Sequence, residues 1–183
     1  MQVILTVGAL KPRKGIDIII KSLPLILKEA PEVELVIVGE GEQSTYWNLA
    51  KDLAVADRIT IKTNLPNEEL KNLFRKCSVF ALTPRYIDHQ FEGYGLVYLE
   101  AGLYKKPVVG SRSGGVPDAV IDGETGLLIQ ENDPPATAAA IVKILKDPEL
   151  AKKLGEGGYR LARERNWDDY IEKVIKIYEA ATK

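Results

Sequence analysis

Residues 3–39 contain two nearly continuous apolar runs, VILTV (3–7) and ELVIVG (34–39), separated by the amphipathic stretch GIDIIIKSLPLILKE (15–29). Apolar runs rich in Val and Ile are typical of strands that helices cover on both faces. The middle stretch has the apolar spacing of a helix. A strand, a helix and a second strand in this order predict a βαβ unit with parallel strands and a right-handed crossover.

The same alternation continues along the chain. Further strands are predicted at RITIK (58–62), SVFAL (78–82), PVVG (107–110) and GLLIQ (126–130). Helices are predicted at 43–54, 67–76, 95–105, weakly at 117–121, and then in a group at 135–146, 148–164 and 168–181. The fold class is therefore α/β, with three layers, a six-stranded parallel sheet in the middle and extra helices at the carboxyl end.

Composition limits the possible functions. With 183 residues, 45% of them hydrophobic, the chain suits a single domain over 1–183, with its last helix at about 167–181. A net charge of -1 argues against nucleic acid and anionic membranes as partners. No apolar window is long enough to span a bilayer, and the amino terminus has no basic leader, so a cytoplasmic location is expected.

The cysteine and histidine content excludes two further features. The one cysteine, Cys77, cannot form an internal disulfide and adjoins an apolar run, so we expect a buried and inert thiol. One Cys and one His are too few soft ligands for a zinc site. No metal site is predicted.

The loops that follow the strands should meet at one edge of a parallel sheet, where ligands bind. The first of them carries Lys11, Arg13 and Lys14 just before a helix, and cations and helix amino termini both attract anions. Glycine recurs in these loops and permits close backbone approach, although in any one loop it could simply form a turn. Together the loops predict a diphosphate site: GALKPRKG (8–15), GEGEQ (39–43), TPRYIDHQFEGYG (83–95) and GSRSGGVPD (110–118).

Two acids, Glu92 and Glu100, flank a Gly-Tyr-Gly turn and the start of a helix. In that helix Leu96, Leu99 and Leu103 predict the buried stripe, and Glu100 lies at its edge, where a carboxylate needs a partner or a ligand. Paired carboxylates also hydrolyse glycosides. The phosphate-type loops have no use in a glycosidase, so that alternative is disfavoured.

Four segments resemble the carboxyl-terminal, donor-binding domain of the family-four retaining glycosyltransferases, whose GT-B fold consists of two Rossmann-like halves. The most specific element is E-x7-E, from Glu92 to Glu100, followed by PVV, GG-x-P and DG-x-TG at the family's spacing. The segments are VGALKPRKG (7–15), LVIVGEG (35–41), FEGYGLVYLEAGLYKKPVVGSRSGGVPDAVIDGETGLLI (91–129) and NWDDYIEKVIKIYEA (166–180).

The resemblance implies a role for each site residue. Glu92 would contact hydroxyls of the donor sugar, Glu100 would accept bonds from the ribose diol, and Lys14 would neutralise the diphosphate, with Glu92 and Lys14 as the catalytic pair. The turn Gly93-Tyr94-Gly95-Leu96 would offer backbone N–H groups to sugar and phosphate. The remaining implied donor contacts are Gly8, Arg13, Gly39, Gly41, Asn64, Leu65 and Arg85.

The implied reaction transfers a glycosyl unit from a nucleotide-diphosphate sugar with retention at the anomeric carbon, without a metal or another cofactor. The chain departs from the family at one position, because Ala9 stands where the motif Gly-Arg-Leu has its arginine. Losing one charge-stabilising donor costs on the order of a hundredfold in rate. Either Arg13 or Arg85 compensates for the missing arginine, or the chain has weakened catalysis. We expect that Arg85 or Arg13 substitutes in part.

GT-B enzymes also need a second domain that holds the acceptor, and the chain has no residues left for it. We therefore expect a donor-binding half that transfers a hexosyl unit only with an amino-terminal acceptor domain or a separate subunit, and that is inactive alone. The alternative is a non-catalytic nucleotide-sugar binding or regulatory module, which Ala9 favours. An NAD-binding domain is disfavoured because no G-x-G-x-x-G follows the first strand.

Overall fold

The computed structural model of the chain describes residues 2–165 and 167–181, with the backbone alone at 167–170 and 173. Its sheet has six strands in the order β3-β2-β1-β4-β5-β6, and every neighbouring pair is parallel. This confirms the predicted fold class. The strands are β1 (Gln2–Val7), β2 (Val33–Val38), β3 (Ile59–Lys62), β4 (Val79–Ala81), β5 (Val108–Ser111) and β6 (Gly126–Ile129).

Helices cover both faces of this sheet. That is why β2 is buried at every position except Glu34 and why β4 is buried throughout. Short 3-10 turns occur at Pro12–Lys14 and Ala56–Arg58. The helices are α1 (Ile16–Glu29), α2 (Ser44–Asp52), α3 (Asn67–Lys76), α4 (Leu96–Leu103), α5 (Val116–Ala119), α6 (Pro134–Lys146), α7 (Pro148–Glu164) and α8 (Trp167–Ala181).

The strand order reverses between β1 and β4. From β1 the chain adds strands on one side as far as β3, and it then crosses to β4 and builds outward on the other side. Right-handed crossovers therefore place α1 and α2 on one face of the sheet and α4 on the opposite face. A crevice forms at such a switch point, at the carboxyl ends of the two strands.

The buried face of α4 differs from the predicted one. Leu96 and Leu103 are 52% and 49% exposed, whereas the buried residues are Tyr98, Leu99, Ala101 and Gly102. The prediction is correct for Leu99 and wrong for Leu96 and Leu103. Tertiary packing explains which face is buried: Tyr98 packs on the sheet, and α7 covers the side of α4 that carries Gly102. Glu100 shares the exposed face with the two leucines.

Cys77 is buried, as predicted, and burial raises the pKa of its thiol to about 12. A thiol with this pKa stays protonated at neutral pH and is a poor nucleophile. Within the two described ranges, no helix has both the length and the apolar character needed to cross a bilayer.

Three helices end the chain. Asp133 caps α6 and Asp147 caps α7, each by accepting a hydrogen bond from a backbone N–H of the first turn. On α8 the side chains of Ile171 and Ile175 are about half exposed, at 51% and 50%. These two isoleucines lie one helical turn apart, so α8 leaves an apolar strip partly exposed. The side chain of Trp167 lies outside the described residues.

Candidate functional site

The loops after β1 and β4 meet at the switch point. Backbone carbonyls of the first loop accept hydrogen bonds from the second: the Thr83 hydroxyl donates to the carbonyl of Gly15 at 2.9 Å, and the backbone N–H of Arg85 donates to the carbonyl of Arg13 at 2.8 Å. Gly15 has φ +67°, and a Cβ atom there would lie 1.8 Å from the Thr83 carbonyl oxygen. Only glycine allows the two loops to approach this closely.

This approach brings one acid and two cations together. The Lys14 ammonium lies 2.5 Å from Oε2 of Glu92, and a guanidinium nitrogen of Arg13 lies 3.4 Å from the same oxygen. The side chains are only 14%, 24% and 13% exposed for Lys14, Arg13 and Glu92. Arg13 also donates to the carbonyl of Phe91 at 3.3 Å. We call Arg13, Lys14 and Glu92 the cation–Glu92 cluster.

The loop after β5 holds Glu92 in place. The N–H of Gly115 donates to the Glu92 carbonyl at 2.9 Å. A Cβ atom at Gly115 would lie 1.8 Å from the carbonyl oxygen of Gly93, and one at Gly114 would lie 2.2 Å from that of Glu92. The Gly pair of the GG-x-P segment therefore supports the backbone beneath the acid.

Glu100 lies one helical turn along the exposed face of α4 from Leu96. Partial burial raises the pKa of its carboxyl group above the ordinary value. Raising the pKa in this way means that the surroundings disfavour the charged form. A ligand that donates hydrogen bonds would compensate the carboxylate for lost hydration.

Other glycines that were predicted to contact the donor allow loops to pack closely against each other. A Cβ atom at Gly39 would lie 1.9 Å from the carbonyl oxygen of Gly8, and one at Gly41 would lie 2.9 Å from the Leu10 Cβ. A Cβ atom at Gly8 would lie 3.7 Å from the Lys14 side chain, which passes over this turn. These glycines bring the loops after β1 and β2 together.

Two of the implied donor contacts, Asn64 and Leu65, lie in the loop after β3. Asn64 is exposed, with φ +51°, and its N–H donates to the Glu40 carboxylate at 2.7 Å. Leu65 is half-buried against the core. These contacts join the loops after β2 and β3. Tyr94 is half-buried and Gly95 adopts φ +81° where α4 begins.

The Arg85 side chain bonds to residues outside the cation–Glu92 cluster. Its guanidinium bonds to Asp17 at 3.1 Å and to the side-chain oxygen of Asn132 at 3.0 Å. The structure thus brings Arg13, and not Arg85, to Lys14 and Glu92. Arg85 instead lines a cavity of about 280 Å³ together with Pro12, Asp17, Lys21, Thr45, Tyr46 and Leu49.

Sequence reasoning missed the ion pairs of the cluster. Glu92 lies 79 and 78 positions after its two cationic partners, and no spacing rule links residues at that separation. It missed Asp17 as the partner of Arg85 for the same reason. Among the described residues, no group of three or more His, Cys, Asp or Glu side chains could hold a metal ion.

Comparison with known proteins identifies the family of this chain. The profile described as "Glycosyl transferases group 1" matches residues 1–161. A GDP-mannose-dependent alpha-(1-6)-phosphatidylinositol monomannoside mannosyltransferase of Mycolicibacterium smegmatis is 38% identical over 168 residues, covering 90% of this chain and 44% of that protein. A D-inositol 3-phosphate glycosyltransferase of Acidothermus cellulolyticus is 36% identical over 189 residues, covering 98% and 41%.

The solved structures agree. Sucrose-phosphate synthase from Thermosynechococcus elongatus superposes with a TM-score of 0.82 at 28% identity, covering 99% of this chain and 45% of that one. The chain spans less than half the length of the curated relatives it matches. On the profile and on both curated relatives, the chain belongs to the glycosyl transferases group 1 family.

Proposed function

We propose that the chain is the donor-binding domain of a retaining glycosyltransferase. It binds a nucleotide-diphosphate sugar and transfers the hexosyl unit to an acceptor held by an amino-terminal domain or a separate subunit. The observation that carries the proposal is the cation–Glu92 cluster at the carboxyl ends of β1 and β4, because open α/β sheets bind ligands at this point. Without the acceptor domain the chain is inactive.

The site offers the chemistry that this reaction needs. Cleaving the bond between sugar and phosphate builds negative charge on the departing diphosphate, and Lys14 and Arg13 supply positive charge beside it. Glu92 accepts hydrogen bonds from the sugar hydroxyls and Glu100 from the ribose hydroxyls. We propose that the cations serve where other folds use a metal, so that neither a metal nor another cofactor takes part.

The curated relative from Mycolicibacterium smegmatis is named for its dependence on GDP-mannose, which makes this the first donor to test. Titration calorimetry with GDP-mannose, UDP-glucose and ADP-glucose should detect binding of at least one. NAD should not bind. Binding of NAD alone, or of none of these compounds, would reject the proposal.

Glu100→Ala should weaken binding of the preferred donor. Hydrogen bonds to a charged group contribute about 1.5–3 kcal/mol each, so the dissociation constant should rise at least tenfold. Glu131→Ala changes a partly exposed loop acid that accepts a hydrogen bond from the N–H of Tyr86; it is the matched control and should leave donor affinity within twofold. Equal losses in both variants would argue against a ribose contact at Glu100.

A non-catalytic binding module is the second candidate, favoured by Ala9 in place of the family's arginine. Arg13 supplies a second cation to the cluster, and this supports an active enzyme. The two candidates separate when the chain is combined with an amino-terminal domain of its family: an enzyme transfers sugar to an acceptor, and a module only binds the donor. Ala9→Arg should change donor affinity little if Arg13 compensates.

A further inference from the structure

We propose that Glu92 is an internal counter-anion, which occupies Lys14 and Arg13 until a diphosphate displaces it. The displaced carboxylate is then free for the sugar. This second step rests on the proposed function, whereas the competition between Glu92 and a phosphate does not. The proposal makes Glu92 a residue that discriminates between nucleotide sugars and nucleotides without a sugar.

The contacts show that the two cations are already engaged. Both bond to one oxygen of Glu92, at 2.5 and 3.4 Å, and all three side chains are less than a quarter exposed. In such a partly dehydrated place an ion pair is stronger than on the open surface. A diphosphate that binds Lys14 must therefore compete with Glu92, and the cluster offers it a net charge of +1 instead of +2.

Hydrogen bonds hold the backbone around Glu92, and open space lies beside it at Gly93. Gly115 donates to the Glu92 carbonyl at 2.9 Å and Arg13 donates to that of Phe91 at 3.3 Å. Beside the acid, a Cβ atom at Gly93 would meet no heavy atom within 4 Å. The exchange thus needs a rotation of the Glu92 side chain and no movement of the loop.

The free energy needed to displace Glu92 from Lys14 and Arg13 depends on the ligand. A nucleotide diphosphate or pyrophosphate takes the cations and leaves the half-buried carboxylate with no partner, which is unfavourable. A nucleotide sugar brings hydroxyl donors that satisfy the same carboxylate. Glu92 therefore weakens binding of the spent nucleotide relative to the donor, and it favours release of that product after transfer.

Pyrophosphate titration of the 183-residue chain tests the competition directly, since pyrophosphate has neither sugar nor base. Glu92→Gln keeps the shape of the side chain and removes its charge, so it should bind pyrophosphate and GDP about tenfold more tightly, equivalent to about 1.4 kcal/mol. Glu149→Gln makes the same change at an exposed position on α7, away from these loops, and should change pyrophosphate affinity less than twofold. Thermal unfolding of each variant checks that it is folded.

A double-mutant cycle assigns the effect to the cluster. In a Lys14→Met background, Glu92→Gln should give a clearly smaller gain, because the shorter ion pair is already broken and only Arg13 still pairs with Glu92. An unchanged or weaker pyrophosphate affinity in Glu92→Gln would overturn the inference, and so would an equal gain in Glu149→Gln.

The outcomes also separate this inference from the proposed function. If GDP binds and Glu92→Gln brings no gain, the counter-anion role fails while the donor site stands. If pyrophosphate affinity rises in Glu92→Gln and no nucleotide binds to any variant, the counter-anion role stands and the donor assignment fails. If neither ligand binds to any variant, both fail.

Discussion

Gly115 and Gly93 lie against each other beneath the site, yet a methyl group would have opposite consequences at the two positions. At Gly115 the new Cβ would lie 1.8 Å from the carbonyl oxygen of Gly93, so the backbone must shift. At Gly93 a Cβ would meet no heavy atom within 4 Å. Whether a position here requires glycine therefore depends on the atoms that surround it, and not on its lying in a glycine-rich loop.

We expect Gly115→Ala to lower the free energy of unfolding by about 1–3 kcal/mol, the cost of overpacking a close contact. Gly93→Ala should change it by less than about 0.5 kcal/mol, as is usual for substitutions without new contacts. Urea unfolding measures both. A small effect at Gly115 would show that the loop after β5 yields easily and does not support Glu92.

Glu100 links stability to pH. Its pKa is raised by partial burial, so the folded chain binds this proton more tightly than the unfolded chain does. The resulting cost to stability is absent when the group is protonated in both states. It appears as the pH rises above the ordinary value of 4.5 and is complete above the folded pKa.

We therefore expect Glu100→Gln to be more stable than the parent chain at pH 7, by no more than about 0.5 kcal/mol because the residue is exposed. The difference should shrink as the pH falls from the raised folded pKa toward 4.5, and it should be absent well below 4.5. Urea unfolding of both chains across this range is the measurement. A stability gain together with weaker donor binding is the combination expected of a binding residue, and a gain that did not depend on pH would show that the charge is not its cause.

At the scale of elements, α4 and α7 cross through two glycines. A Cβ atom at Gly102 on α4 would lie 2.6 Å from the Gly158 carbonyl oxygen, whereas one at Gly158 on α7 would have Gly102 Cα as its nearest neighbour at 3.4 Å. Alanine at Gly102 would therefore clash with the backbone of α7, whereas alanine at Gly158 would make an ordinary van der Waals contact with α4. This close crossing also helps to turn Glu100 outward, because α7 covers the opposite side of α4.

Gly102→Ala should destabilise the chain by about 1–3 kcal/mol through overpacking. Gly158→Ala should be neutral or stabilising by up to about 1 kcal/mol, because alanine is the better helix former. Thermal or urea unfolding of the pair decides between these expectations. Equal effects in the two variants would mean that the helices do not cross in this geometry.

At the scale of the whole molecule, α8 differs from the other long helices. Ile175 on α8 is 50% exposed, whereas Ile141 on α6 is fully buried between α6 and the rest of the core. The chain also spans less than half the length of its curated relatives. An apolar residue that is half exposed contributes little to the stability of the chain by itself.

Ile175→Ala should accordingly change the free energy of unfolding of the 183-residue chain by less than about 0.5 kcal/mol. Ile141→Ala should lower it by about 2–5 kcal/mol, the cost of removing a buried isoleucine side chain. Urea unfolding compares the two. A large loss at Ile175 would show that α8 packs on the domain much more closely than its exposure indicates.

The sequence by itself determined the order and type of the elements. Strand and helix periodicity depend on neighbouring residues, so six strands, their parallel pairing and the positions of the loops could be read from local pattern. The E-x7-E motif and the glycine-rich loops likewise identified the family, which comparison confirmed. The Cys77 burial followed from its apolar neighbours.

Only the tertiary structure decided which side chains meet. Arg13 and Lys14 reach Glu92 because β1 lies beside β4, and this adjacency depends on the order of strands in the sheet. The same packing pairs Arg85 with Asp17 and exposes the face of α4 that carries Glu100. Contacts between residues nearly eighty positions apart arise from the balance of packing over the whole domain, and local spacing contains no information about that balance.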